Sequence, residues 1–489
     1  MSPRPRFHLT PARNWMNDPN GLVYVDGTWH AFFQHNPEGT DWGNMSWGHA
    51  SSTDLEHWRA HPVALRHSDD EQIYSGSVVA GDDGTLTAIY TSAYARGIQA
   101  QSRAVSHDGG DTWTVDVSNP VLDRGSSDFR DPKIVRMPTR PESGKWLMVA
   151  VEAVERRVLF YASDDLRTWR ETGSFGPVGP DGVVWECPDL VRLPLDNDPA
   201  QTPWVLLLST NPVGADPDPA GSAMHYVVGS FDGETFTTQN TGLERLDHGR
   251  DFYAGVTFDS APGDEAIMLA WMSNWRYAHV VPATTWRGAM SLPRRLSLRT
   301  IDGQPRLVQH PASPVVRQLA DTAAATDPAE PITITLHALI ELRWTADIAG
   351  KVRLHLAGDG DASADIVFDP TAKTLSVTRA GEAAQALHPD FASTSTAPLH
   401  GGSRTGRLLV SLDGPLLEVF INDGETTVSN LVTLGSGTVT LTVTTEEPGS
   451  LRTLTLVIAE INTSESGVEA DSAFTTVSPL SSSLTTTRK

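Results

Sequence analysis

The 489-residue sequence predicts an all-β protein in two parts, a five-bladed β-propeller followed by a C-terminal β-sandwich. Three observations carry that prediction. Short alternating runs are broken by Gly, Asp, Asn and Pro throughout, and no amphipathic helix of normal length interrupts them. Polar clusters recur ahead of strand-like runs at a spacing that suits one four-stranded blade. Past residue 330, alternating runs resume without that period.

The first 300 residues carry the blades. Gly21–Val25 and Trp29–Gln34 flank Asp26-Gly27, a strong hairpin signal, and Val78–Gly81 and Leu86–Thr91 flank Asp82-Asp83-Gly84. A Ser-x-Asp pattern followed by an aromatic recurs at Ser52/Asp54/Trp58, Ser106/Asp108/Trp113, Ser163/Asp165/Trp169 and Ser230/Asp232/Phe236. Ser and Asp cap turns and the aromatic wedges between strands, so this repeat reads as structural. The polar clusters are Asn17-Asp18, Tyr74-Ser75, Arg130-Asp131, Glu186 and Asp251-Phe252-Tyr253. Counted from Asp18, Ser75, Asp131, Glu186 and Asp251, they lie 57, 56, 55 and 65 residues apart. If each opens the innermost strand of a blade, all five converge on one end of the central channel.

Residues 301–330 read as a Pro- and Ala-rich linker, and residues 331–461 as the sandwich. Its strands are expected at Ile332–Leu336, Leu342–Ala346, Lys351–Ala357, Ala364–Phe368, Thr374–Thr378, Arg407–Leu412, Leu417–Ile421 and Thr438–Val443. Residues 462–489, rich in Ser and Thr, read as a disordered tail.

Composition narrows the function. Sixty acidic residues against 37 basic give a net charge of −23, which repels nucleic acids and anionic membranes and suits a neutral substrate. No apolar run reaches the ~18 residues of a membrane span. The N-terminus lacks the apolar core of a signal peptide, so the chain as written reads as cytoplasmic, and as secreted if a leader was removed. The single cysteine, Cys187, excludes a disulfide framework and a Cys-rich zinc site. Among 16 histidines, His57 and His61 are four apart, but Pro62 and the absence of a helix pattern argue against a metal pair. No metal and no cofactor is expected, and His49 is placed at the rim of the site.

The chemistry points to glycosidic cleavage, which needs a carboxylic acid at the leaving oxygen and a carboxylate at the anomeric carbon. The blade period supplies Asp18, Asp131 and Glu186. Asn17 and Pro19-Asn20-Gly21 stiffen the turn that aims Asp18. Arg130 offers a fork for a carboxylate or a sugar hydroxyl. Trp185 and Cys187 flank Glu186, an apolar setting that raises a carboxyl pKa.

These residues lie in recognisable motifs. Trp15-Met-Asn-Asp-Pro-Asn-Gly21, Phe129-Arg-Asp-Pro132 and Trp185-Glu-Cys-Pro-Asp-Leu190 resemble the three signature motifs of glycoside hydrolase family 32. Further matches run in the same order: Trp42-Gly-Asn-Met-Ser-Trp-Gly-His49, Tyr74-Ser-Gly-Ser77, Asp251-Phe-Tyr-Ala254, Trp271-Met-Ser-Asn-Trp275, Trp286-Arg-Gly-Ala-Met-Ser-Leu-Pro293 and Glu418-Val-Phe-Ile-Asn422. The resemblance implies a retaining β-fructosidase acting on levan, inulin or sucrose. It implies Asp18 as nucleophile, Glu186 as acid/base and Asp131 as transition-state stabiliser. Asn17, Gln34, Trp42, Tyr74, Ser75, Arg130 and Trp275 match positions around the terminal fructose. A fructosyltransferase, a disaccharide-releasing levanase and a non-catalytic fructan-binding protein are the alternatives on the same scaffold. The chain departs from the family pattern at Arg295, at Tyr74 and at Asp413-Gly-Pro415. Ser106–Trp113 also fits a sialidase Asp-box, but only one full box occurs, and it reads as a blade turn. Oligomeric state and linkage preference are left open.

Overall fold

The structure, a computed structural model, describes residues 3–137, 145–213, 220–239, 242–314, 316, 325–326, 330–344, 348, 350–400, 406–446, 454–461 and 468–469. Nearly all its regular structure is strand; the one α-helix among the described elements is the six-residue Glu382–Leu387.

Five antiparallel sheets follow one another through the N-terminal part. Their first strands are Asn14–Val25, Glu71–Ala80, Phe129–Arg136, Val183–Arg192 and Tyr253–Thr257. Each contacts the next, and the fifth contacts the first, so the inner strands close a ring. Short backbone ties seal the closure. Trp286–Arg287 pairs in parallel with Asn14–Trp15, and Tyr24 N–H donates to Asp259 O at 3.0 Å.

The ring is held by apolar wedges between neighbouring sheets. Phe32, Trp47, Val78 and Tyr90 fill the first seam, and Val79, Phe129, Met148 and Tyr161 the second. Val149, Phe160, Trp185 and Leu206 fill the third; Leu207, Tyr226, Phe252 and Met268 the fourth. Leu22, Phe33, Tyr253 and Trp271 fill the fifth. Both faces of each sheet are therefore buried, and central strands such as Trp146–Glu152 read as continuous apolar runs. Each such side chain contributes about 1.5–3 kcal/mol by leaving water.

The Ser-x-Asp repeat is structural, as expected. Ser52 Oγ accepts Leu55 N–H at 2.8 Å, and Asp54 Oδ1 accepts the N–H groups of Glu56 and His57. Ser163 and Asp165 repeat these bonds on Leu166, Arg167 and Thr168. In the Asp-box, Asp108 Oδ1 accepts Thr112 N–H at 2.9 Å, and Trp113 packs edge-on to Phe32.

The C-terminal part is two six-stranded antiparallel sheets enclosing one apolar core that includes Ile340, Leu354, Val410, Val419 and Leu441. Strands Ser393–Pro398, Thr426–Leu431 and Leu454–Glu460 join those expected from sequence. Residues 304–311, expected in a linker, instead form the last strand of the fifth N-terminal sheet, in register with Arg294–Ile301. The tail expected to be disordered lies outside the described residues, apart from Val468–Glu469, whose backbone pairs with Trp58–Arg59. No helix among the described residues is long and apolar enough to cross a membrane.

The two parts meet over a buried ionic network. Arg294 Nη1 lies 2.9 Å from Asp247 Oδ2, and its Nη2 bonds Glu418. His8 bridges Glu418 at 2.9 Å and Asp413 at 2.7 Å, and His337 reaches the other oxygen of Asp413 at 2.7 Å. The turn at Asp413-Gly-Pro415 is thus an anchor for the N-terminal segment, whose Arg6 and Phe7 N–H groups also donate to Asp413. Arg295, on the half-exposed side of its strand, pairs at 3.3 Å with Glu265, the residue before the neighbouring strand Ala266–Trp271.

Candidate active site

Each inner strand is broken near its start by a β-bulge. The register shifts between Met16 and Pro19, between Ile73 and Gly76, between Arg130 and Lys133, between Glu186 and Asp189, and between Tyr253 and Val256. A bulge places extra backbone on one strand and re-aims its side chains. Asp131, Cys187 and Ala254 sit at the same bulge position with φ of 61°, 48° and 55°. These residues accept left-handed backbone at a cost of order 1 kcal/mol each.

The bulges correct the phase read from sequence. The first bulged residues are Asn17, Tyr74, Asp131, Cys187 and Ala254, spaced by 57, 57, 56 and 67 residues, and Asp18 and Ser75 are the second bulged residues of their strands. Glu186 stands one residue before Cys187, in line with Met16, Ile73, Arg130 and Tyr253. Asp251 does not join the channel end at all. It is fully buried between the two parts of the chain, bonded to Arg379 Nη1 at 2.6 Å, Tyr277 OH at 2.7 Å and Leu431 N–H at 2.7 Å.

The three carboxylates meet around Cys187. Its Sγ is 3.6 Å from Asp18 Oδ2 and 3.7 Å from Asp131 Oδ2, and its N–H donates to Asp131 Oδ2 at 2.9 Å. Asp18 is aimed from both sides. Asn17 Nδ2 donates to Oδ1 at 3.0 Å, and Ser75 Oγ donates to Oδ2 at 2.9 Å. Asn17 is itself held by Trp15 Nε1 at 2.6 Å. Asp131 N–H donates to Thr91 Oγ1 at 2.9 Å, tying the third strand to the second sheet.

Glu186 is gripped at both oxygens. Arg130 Nη2 lies 3.1 Å from Oε1, and Tyr253 OH donates to Oε2. Gln99 Oε1 accepts from Arg130 Nη1 at 3.4 Å and Asp128 lies 3.6 Å away, which fixes the guanidinium. The expected apolar surroundings of Glu186 are not what the structure places there. Trp185 turns away into the seam between the third and fourth sheets, so the neighbours of Glu186 are a cation and a phenol.

Charge crowding shows in the acids. Asp18 is pushed up to about 6 by loss of water contact and by the charge of Glu186, against hydrogen bonds from Asn17, Ser75 and Cys187. Asp131 is raised by burial and by Glu186 and Asp18, although Arg130 beside it pulls the other way. The Cys187 thiol, buried among three carboxylates, is held well above its ordinary value and stays protonated.

The remaining expected residues divide between the mouth and the packing behind it. Tyr74 is half-buried with Trp42 tilted against it at 6.1 Å; Trp42 is 45 % exposed, an aromatic face left open at the mouth. Trp275 stacks on Trp15 at 6.1 Å and packs on Trp271 at 4.8 Å. Gln34 is buried behind the wall, where its Nε2 donates to Ile73 O at 3.0 Å. Trp47 is a core residue whose Nε1 donates to Tyr74 O. His49, expected at the rim, is buried between Phe32 and His61. Sequence reading missed Tyr253, Cys187, Thr91 and Gln99 as site residues. The Asp251-Phe-Tyr-Ala254 motif held Tyr253, but without the bulge its phase pointed to Asp251.

Comparisons with known proteins agree with this geometry. Residues 8–311 match the glycosyl hydrolases family 32 N-terminal domain, and residues 307–458 match the family 32 C-terminal domain. A levanase from Bacillus subtilis is 37% identical over 88% of this chain and 66% of its own length. An extracellular exo-inulinase from Aspergillus niger is 36% identical over 87% of this chain and 88% of its own. Among solved structures, an exo-inulinase from Aspergillus awamori superposes with a TM-score of 0.81 at 32% identity, over 94% of this chain and 98% of that one. A fructofuranosidase from Schwanniomyces occidentalis, complexed with fructosylnystose, gives 0.83 at 29% identity over the same shares. The chain therefore belongs to glycosyl hydrolase family 32, with an N-terminal propeller and a C-terminal β-sandwich.

Proposed function

We propose that this chain is a retaining β-fructosidase that releases terminal fructosyl units from levan, inulin or sucrose. We read the five cyclic sheets as the blades that carry the chemistry and the sandwich as their support. The observation that carries the proposal is the meeting of Asp18, Asp131 and Glu186 at one end of the ring, with Ser75 donating to Asp18, Cys187 N–H to Asp131 and Arg130 to Glu186. Relatives named levanase, exo-inulinase and invertase support the substrate class.

The geometry performs the reaction in two displacements. Asp18, ionised above pH about 6 and aimed by Asn17 and Ser75, attacks C2 of the fructosyl unit. Glu186 gives its proton to the leaving oxygen as the C2–O bond breaks. The fructosyl ester on Asp18 is then hydrolysed by water, whose proton returns to Glu186. Arg130 and Tyr253 hold both oxygens of Glu186 and keep it oriented through both steps. C2 carries oxocarbenium character in each transition state, and the acidic site stabilises that charge. Asp131 faces the sugar hydroxyls, where a raised carboxyl pKa strengthens its hydrogen bonds. Trp42 and Tyr74 supply an aromatic wall against which a ring can stack.

The test is a product profile. The purified chain is incubated separately with sucrose, inulin and levan, with Glu186→Ala as control. Fructose alone from the start, lost in the variant, is the expected result. Early disaccharides or longer transfer products overturn the release of single units. No product from any substrate overturns the hydrolase reading.

A further inference from the structure

A bulge takes backbone groups out of the ladder, and two buried side chains of the second sheet collect them here. Thr91 on Leu86–Tyr94 and Gln101 on Gln99–Ser106 are a directly opposed cross-strand pair, and both are fully buried. Thr91 stands opposite the bulge at Tyr74-Ser75, since Ile73 pairs with Ser92 and Gly76 with Tyr90. Its Oγ1 accepts Asp131 N–H at 2.9 Å and lies 3.2 Å from Ser75 O and 3.1 Å from Gln101 Oε1. Gln101 Nε2 donates to Phe129 O at 3.0 Å. The backbone of Gln101 is itself fixed: its N–H donates to Leu122 O and its carbonyl accepts Val121 N–H, both at 2.8 Å.

We propose, on the β-fructosidase reading above, that Thr91 and Gln101 are positioning residues: a buried clamp that sets the Arg130–Asp131 pair and ties it to the donor that aims the nucleophile. The two peptide groups flanking Arg130 are each held by one arm. Gln101 holds the carbonyl of Phe129, and Thr91 holds the N–H of Asp131. Fixed at both peptides, Arg130 keeps Nη2 3.1 Å from Glu186 Oε1. Asp131 keeps the left-handed backbone, φ 61°, that turns its carboxylate to Cys187 N–H. The single proton of the Thr91 hydroxyl is shared between Ser75 O and Gln101 Oε1. Ser75 Oγ in turn donates to Asp18 Oδ2 at 2.9 Å. One hydroxyl therefore spans the strand that carries the donor of Asp18 and the strand that carries Asp131. Removing it strands Asp131 N–H in a buried place, which drives the bulge toward another acceptor. A displacement of about an ångström in a reacting group costs roughly a hundredfold in rate.

The test compares Thr91→Val, which keeps the shape and loses the hydroxyl, with Thr91→Ser, which keeps the hydroxyl. Gln101→Met removes the other arm. On whichever of sucrose, inulin and levan the parent hydrolyses, Thr91→Val and Gln101→Met each lower kcat/KM about ten- to hundredfold per folded molecule. Thr91→Ser recovers most of that loss, and Thr87→Val on the same strand controls for a lost strand hydroxyl and keeps the parental value. The acid limb of kcat/KM, set by Asp18 at a pH of about 6, moves upward in Thr91→Val, because a loosened Ser75 bonds the carboxylate more weakly. A hydroxyl that only stabilises the fold lowers the melting temperature and leaves kcat/KM and the limb in place; that result overturns the proposal, as does Thr91→Ser no better than Thr91→Val. Crystal structures of the parent and Thr91→Val read the clamp without turnover. Arg130 Nη2 is expected to leave Glu186 Oε1 by more than about 0.5 Å, and an unmoved Arg130–Asp131 pair overturns the clamp. A parent that hydrolyses none of the three substrates sinks the β-fructosidase reading, and the crystal comparison still decides the clamp.

Discussion

Two regions of this molecule gather carboxylates away from water, and they treat them in opposite ways. At the domain junction, burial alone would raise Asp413, but hydrogen bonds from His337 and His8 and the backbone of Arg6 bring it down to about 2. Asp247 and Glu418 are likewise lowered, each against Arg294. At the end of the ring, Asp18 and Asp131 are raised by burial and by the charge of Glu186; the guanidinium of Arg130 pairs with Glu186 and Asp131 and does not reach Asp18. The difference lies in matched charge. The junction supplies a cation for each carboxylate and gains structure. The ring end leaves negative charge in excess, at a cost in stability, and holds it for a cationic transition state.

The contrast can be broken from either side. The largest expected effect is at the ring end: Glu186→Gln lowers kcat by about 10²–10⁴-fold, the usual range for removing a general acid/base. Its thermal midpoint stays near that of the parent. A variant that loses stability and keeps turnover would place Glu186 with the structural carboxylates. At the junction the outcome reverses. Arg294→Met strands Asp247 without its cation, leaves Glu418 with His8 alone, and costs about 3–5 kcal/mol of stability. Denaturant titration reads that loss, while the KM of the folded fraction is unchanged.

Acidity separates the two regions next. His8 is raised to about 9, its bonds to Asp413 and Glu418 overriding burial. Its stabilisation is complete below the unfolded histidine value of about 6.5 and is lost as pH rises through about 9. Asp413 contributes above about 4 and is lost as pH falls toward 2. Melting temperature against pH therefore shows a plateau between about 4 and 6.5, and in Asp413→Asn the curve sits lower and falls less steeply at both edges. Activity instead climbs through pH about 6 as Asp18 ionises. The smallest effect is at the mouth. Trp42→Ala raises KM roughly three- to tenfold through lost stacking and leaves stability unaltered.

The sequence made the ring end more legible than the junction, for physical reasons. Asp18, Ser75 and Asp131 all fall within the bulge of a repeated inner strand, Asp18 and Ser75 at its second residue and Asp131 at its first. A bulge has no residue signature of its own, so the period counted from sequence slips by one place at Asp131 and two at Glu186 and puts Asp251 in the channel. The junction depends on contacts such as His8 with Asp413, 405 residues apart, which no local pattern reveals. Thr426–Leu431 escaped for a related reason. All six residues are buried, with Thr427 and Ser429 bonded to Arg294 and Asp247, so the strand shows no apolar alternation. Residues 304–311 escaped because the Pro-rich composition that follows masked the last strand of the fifth sheet.

Whether the ring end trades stability for chemistry is tested, both halves in one protein, by Asp18→Asn. The raised value of Asp18 means that its ionised form opposes folding at neutral pH, and a neutral amide relieves that opposition. The account predicts that hydrolysis of levan and inulin falls by about 10⁴-fold or more. In the same samples at pH 7, stability rises by about 1–3 kcal/mol. Retained hydrolysis, or a loss of stability like that of Asp413→Asn, would contradict it.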